Sequence, residues 1–146
     1  MKRAVVLLFV VACSKREPSA RVELVEAAAA GDAAAFIAGE LARGSRDGVP
    51  VLVYVGATWC EPCRDFHAAA TAGTLDAQLA PIRFLEFDLD RDGERLAAAG
   101  YRSELVPLFA RPAADGRASG EQTDGVQQGG GYVEQLTPRI RALVQR

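Results

Sequence analysis

The sequence predicts an α/β domain whose central sheet is covered by helices on both faces, and three observations predict it. The run Val51-Leu52-Val53-Tyr54-Val55 is apolar and mostly β-branched, the composition of a strand buried on both sides. A second run, Ile82 to Leu89, sets Phe and Leu against charged residues in the alternation of a strand. Stretches such as Phe36, Ile37 and Leu41 place apolar residues at helical spacing between such runs.

Composition narrows the class. The chain has 146 residues, 49% of them apolar, which suits one globular domain. A net charge of −2 with mixed signs leaves no basic patch and argues against a nucleic-acid partner. There is no internal repeat. A monomer without a cofactor is expected.

The chain opens on what reads as a targeting segment over residues 1–12. Lys2 and Arg3 precede the unbroken apolar run Ala4 to Ala12, which is too short for a bilayer that needs roughly 20 residues. Val10-Val11-Ala12-Cys13 resembles the lipobox of bacterial lipoproteins. The resemblance implies cleavage before Cys13, lipidation of Cys13, a tether over 13–19, and a membrane-anchored domain over 20–146 that faces the periplasm. A plain signal peptide is the alternative. Ser14, in the place where some lipoproteins carry an Asp retention signal, favours the outer membrane.

Within the domain, Arg21 to Glu26 alternates as a short edge strand, though the alanines that follow would equally allow a helix. Asp32 can cap a helix running through Ile37 to about Arg43. Gly44 to Pro50 reads as a polar loop leading into the central strand, which stops at Gly56. A helix from about Cys63 weakens near Thr71 to Thr74, and a short segment around Leu75 to Leu79 reaches Pro81. After the Ile82 to Leu89 strand, Asp90-Arg91-Asp92-Gly93 reads as a polar turn, and Glu94 to Ala99 as a short helix ended by Gly100. Asp115-Gly116-Arg117 is the turn of a hairpin between Leu108-Phe109-Ala110 and a last strand within Ala118 to Val126. Gly129 to Gly131 is a joint. Thr137-Pro138 has the pattern of an N-cap and first helical residue, opening a terminal helix with Ile140, Leu143 and Val144 on one face.

Of the three cysteines, Cys60 and Cys63 stand two residues apart where the central strand hands over to a helix N-terminus. Unpaired N–H groups and the positive end of the helix dipole stabilise a thiolate there, and Cys-X-X-Cys thiols can titrate at about 3.5–7.5 rather than ~8.5. Cys60 is then the nucleophile, and Cys63, one turn on, the resolving thiol. A zinc ribbon would need a second Cys/His pair, which the sequence lacks.

Ala57-Thr58-Trp59-Cys60-Glu61-Pro62-Cys63-Arg64 resembles the active site of the thioredoxin superfamily, and is most similar to the extracytoplasmic bacterial thiol:disulfide oxidoreductases. The resemblance implies the thioredoxin fold, with a central mixed β-sheet flanked by helices on both faces, and a redox-active Cys60–Cys63 disulfide. It also implies protein disulfide substrates and a separate redox partner. Val106-Pro107-Leu108-Phe109 is similar to the family's cis-proline loop, so that Val106 offers its backbone to a substrate strand, Pro107 packs on the disulfide and Trp59 shapes the docking surface. Leu108 stands where thioredoxins usually carry Thr.

Other departures bear on mechanism. Tyr54 occupies the place of the buried Asp that moves the second thiol's proton in thioredoxins, which leaves Glu86 and Glu61 as candidates for proton transfer. Glu61 opposes a thiolate at Cys60 and so favours a reducing couple. His67, four residues after Cys63, lies on the same helical face. Two rivals to the reductase remain open: a copper metallochaperone using Cys60, Cys63 and His67, and a redox-inert docking lipoprotein.

Overall fold

The computed structural model describes residues 20–145. The expected signal segment, Cys13 and the tether lie outside the described residues. Strand β1 (Glu23–Glu26) leads to helix α1 (Ala33–Asp47), where Asp32 caps by accepting a hydrogen bond from the Ala35 amide at 2.8 Å. Then come β2 (Val51–Gly56), α2 (Glu61–Ala72), the single turn α3 (Asp76–Leu79) and β3 (Arg83–Asp88). Helix α4 (Leu89–Ala98), the hairpin of β4 (Leu108–Pro112) and β5 (Ala118–Asp124), and α5 (Tyr132–Val144) complete the order.

The five strands form one mixed sheet in the order β1-β3-β2-β4-β5. The first three are parallel, while β4 and β5 run antiparallel to their neighbours. Every residue of β2 is buried. Because side chains alternate along a strand, Val51, Val53 and Val55 enter one core layer with Ile37 of α1 and Leu96 of α4. Leu52 and Tyr54 enter the other, with Phe66 of α2 and Leu136 and Ile140 of α5. The central strand and the two helical layers are as the apolar run at 51–55 predicts.

Three boundaries differ from expectation. Helix α1 continues through Gly44 to Asp47 and ends at Gly48, whose φ of 69° is left-handed. Gly44 serves close packing rather than a break, since a Cβ there would stand 2.6 Å from the Val49 carbonyl oxygen. The expected turn at Asp90 to Gly93 is the start of α4. Asp88 caps it by accepting from the amides of Asp90 and Arg91, and acidic residues in a first turn suit the helix dipole. Helix α5 starts at Tyr132 rather than Thr137, because burial of Tyr132 and Leu136 outweighs the capping pattern. Pro138 therefore lies inside the helix, and Thr137 bonds the Val133 carbonyl at 2.8 Å.

Asp92 fixes the start of α4. Its side chain is fully buried, accepts from the Asp88 amide at 2.9 Å, and pairs with Arg91 at 3.0 Å and Arg95 at 2.8 Å. Arg95 reaches on to the carbonyls of Ala28 and Ala30, tying the loop after β1 to α4. Burial alone would raise the Asp92 carboxyl, but hydrogen bonds from Arg91, the Asp88 amide and Arg95 outweigh it and hold it below the ordinary 3.8. A lowered native value means that this contribution is full above the ordinary value and is lost as pH falls through the native one. Asp92→Asn is thus expected to cost about 3 kcal/mol at neutral pH. The gap to the unaltered protein, read from urea midpoints, should hold down to about pH 5 and close below it.

Candidate redox site

Strand β2 ends at Gly56, and Cys60 is the N-cap of α2, with extended backbone angles. The Cys60 Sγ accepts a hydrogen bond from the Cys63 amide at 3.2 Å, one of the donors a helix start leaves unpaired. Pro62 falls in the first turn, where its missing N–H costs nothing. Cys60 and Cys63 form a disulfide, with Cα atoms 5.2 Å apart. Cys60 is 5% exposed and Cys63 3%. Ala57 shares their cluster, and Leu89 and Val106 pack against it.

Trp59, 61% exposed, and Leu105, 59% exposed, are the large exposed hydrophobics among the described residues. The Trp59 indole donates to Asp90 Oδ2 at 3.0 Å, so α4 holds the ring in place. The Val106–Pro107 peptide bond is cis, as the resemblance implies; Ala80–Pro81, which the sequence reading passed over, is cis as well. Ser103 braces this loop through the Leu105 amide at 3.0 Å and through Asp124. Among the described residues, none is bonded to the amide or carbonyl of Val106.

Beneath the disulfide lies Tyr54. Its hydroxyl donates to the Cys63 carbonyl at 3.1 Å, and its ring stacks on Phe109 with centroids 5.0 Å apart. Burial first, and the charge of Glu86 second, push this phenol well above its ordinary 10, so it stays protonated. Gly56 leaves the hydroxyl its space: a Cβ there would stand 2.7 Å from it. A cavity of about 500 Å³ opens alongside, lined in part by Tyr54, Gly56, Cys63, His67 and Glu86. His67 Nδ1 lies 2.8 Å from Glu86 Oε1.

The fold therefore brings Val106 against Cys60 and Cys63, with Trp59 and Pro107 next to them along the chain. The two carboxylates named in the sequence part company: Glu86 lines the cavity, whereas Glu61 is exposed in the first turn of α2. His67 engages Glu86, and no group of three or more His, Cys, Asp or Glu among the described residues could hold a metal ion. Sequence reasoning missed Leu89 against the disulfide and Asp90 beneath Trp59. The alternating acids Asp88, Asp90 and Asp92 were the signal for a helix start that would have placed both.

A disulfide at the N-terminus of a helix, entered from the buried middle strand of a mixed sheet, defines the class of this domain. Its fold is that of the thioredoxins. The chain is similar to a poplar thioredoxin h, with a TM-score of 0.54 and 23% identity over 86% of this chain and 98% of that one. It is also similar to a point mutant of the thioredoxin of Halobacterium salinarum, with a TM-score of 0.49 and 23% identity over 88% and 94% of the two chains. Neither a protein-family model nor a curated protein matches the sequence.

Tyr54→Phe keeps the ring stack and removes the donor to Cys63. It is expected to lower the stability of the oxidised protein by about 1 kcal/mol, measured by urea unfolding at unchanged slope.

Proposed function

We propose that this protein is an extracytoplasmic thiol:disulfide oxidoreductase acting on protein disulfides, in the reducing direction. The observation that carries the reading is the Cys60–Cys63 disulfide at the start of α2, with the Cys60 sulfur as its N-cap. In the reduced form, the Cys63 amide and the helix dipole favour a thiolate at Cys60. That thiolate attacks a substrate disulfide, one substrate sulfur leaves, and Cys63 then attacks Cys60 to release the other. A separate dithiol partner restores the reduced pair.

Trp59, Val106 and Pro107 form the docking surface. The unbonded Val106 backbone supports pairing with an extended substrate segment, which would bring its disulfide to the slightly exposed Cys60. The domain acts as a monomer tethered through a lipid on Cys13 to the outer membrane, facing the periplasm, where disulfides persist. Glu86, on the cavity wall with Cys63, is assigned to proton transfer. The exposed Glu61 acts instead on the potential of the couple.

An insulin-reduction assay tests the reading. Cys60→Ser should abolish turnover, while Cys63→Ser should accumulate a substrate disulfide on Cys60. Retained turnover in Cys60→Ser would refute the assignment. Glu61→Gln should lower the Cys60 pKa in the reduced protein and make the potential less negative by on the order of 10 mV, read against a glutathione buffer. A wild-type potential near ~−270 mV fits a reductase, and one near ~−120 mV an oxidant.

A further inference from the structure

The only histidine, His67, has no part in the exchange as written above. We infer that His67 and Glu86 together accept the proton of the Cys63 thiol in the resolving step. This rests on the exchange reading and identifies which groups of this chain move its second proton.

Four positions surround the route. Cys63 and His67 lie four residues apart on α2, hence on one face, and both line the 500 Å³ cavity. Across from them, Tyr54 and Glu86 are partners in the parallel register of β2 and β3. Exposure rises outward: Cys63 and Tyr54 are buried, the Glu86 side chain is 22% exposed and that of His67 51%. The cavity opens to solvent, and Tyr54, His67 and Glu86 give water polar partners on its otherwise largely apolar wall. A proton leaving Cys63 can therefore reach Glu86 without crossing the apolar core, and His67 can exchange it with solvent.

The other titratable groups on this wall are committed elsewhere. Tyr54 stays protonated and donates to the Cys63 carbonyl. Arg64 of α2 bonds the Thr58 carbonyl at 3.0 Å. Arg91 of α4 pairs with Asp92 and with Glu26 of β1. Asp88 caps α4. The hydrogen-bonded His67–Glu86 pair is left to take up the proton.

The step balances. After Cys60 has formed a mixed disulfide, the Cys63 S–H bond breaks and its proton passes to the pair. The Cys63 thiolate forms a bond to the Cys60 sulfur, and the bond from Cys60 to the substrate sulfur breaks. The substrate leaves as a thiolate and takes a proton from the pair or from water. Two electrons have moved from the dithiol to the substrate.

The test reacts the reduced protein with excess dithiobis-nitrobenzoate, an aryl disulfide whose released thiolate absorbs visible light. The first release reports Cys60 and the second reports Cys63. Across pH, the second phase of the unaltered protein should rise through a step below that of a free thiol at ~8.5. Glu86→Gln should slow the second phase relative to the first by on the order of 100-fold at neutral pH, and move the step up to the free-thiol range. His67→Gln, which keeps a hydrogen-bonding group but binds no proton, should shift the step the same way with a smaller loss, and Glu86→Asp should restore it. Profiles of Glu86→Gln and His67→Gln that superpose on the unaltered protein would overturn the inference. If Glu86→Gln does not fold, His67→Gln at its exposed position decides alone. Absence of the first phase in the unaltered protein would instead refute the exchange reading.

Discussion

Tyr54 ties the disulfide to the core. Its ring lies 5.0 Å from both Phe66 and Phe109, and Phe66 lies 5.3 Å from Phe84, so residues of α2, β2, β3 and β4 meet in one aromatic cluster. Such edge and offset contacts add roughly 0.5–1.5 kcal/mol each beyond area burial. The hydroxyl at the end of the same ring bonds the Cys63 carbonyl, which places the first turn of α2 relative to the sheet. Packing at the centre of the domain thereby sets where the two sulfurs stand.

The constraint divides labour around the sulfurs. A phenol that is buried and kept protonated is a steady donor, and for that reason it is no proton acceptor. Support and carboxylate are separate in this chain: position 54 carries the phenol, and a carboxylate stands on the neighbouring strand. Tyr54 supports, and the nearest strand partner, Glu86, meets His67 at the open side of the cavity. Gly56 makes the separation possible, since any side chain there would occupy the space of the Tyr54 hydroxyl.

Much of this was legible in the sequence because local signals and tertiary demands agree. Val51 to Val55 has the β-branched composition of a strand sheltered on both faces, and Cys-Glu-Pro-Cys follows it at a helix start. Agreement failed at α4 and α5. Asp90-Arg91-Asp92-Gly93 has turn composition, yet Asp92 finds two arginines in a dry site, a long-range outcome that composition cannot show. Thr137-Pro138 has capping composition, yet Tyr132 and Leu136 commit the preceding residues to the helix through burial against the sheet. His67 was visible as a helix-face neighbour of Cys63, but its partner comes from β3, and no spacing rule links residues 67 and 86.

Near-burial of the sulfurs and their reactivity are compatible because the dipoles that stabilise charge at Cys60 are built into the backbone. A thiolate in an apolar site is costly, and Leu89 and Val106 make this site apolar. The Cys63 amide aimed at the Cys60 sulfur, and the dipole behind it, offset that cost without admitting water. Cys63 has no equivalent donor aimed at its sulfur among the hydrogen bonds of the described residues. The asymmetry between the two cysteines follows: fixed dipoles are aimed at the first sulfur, whereas the second lies beside a cavity that opens to solvent and is lined in part by Gly56, His67 and Glu86.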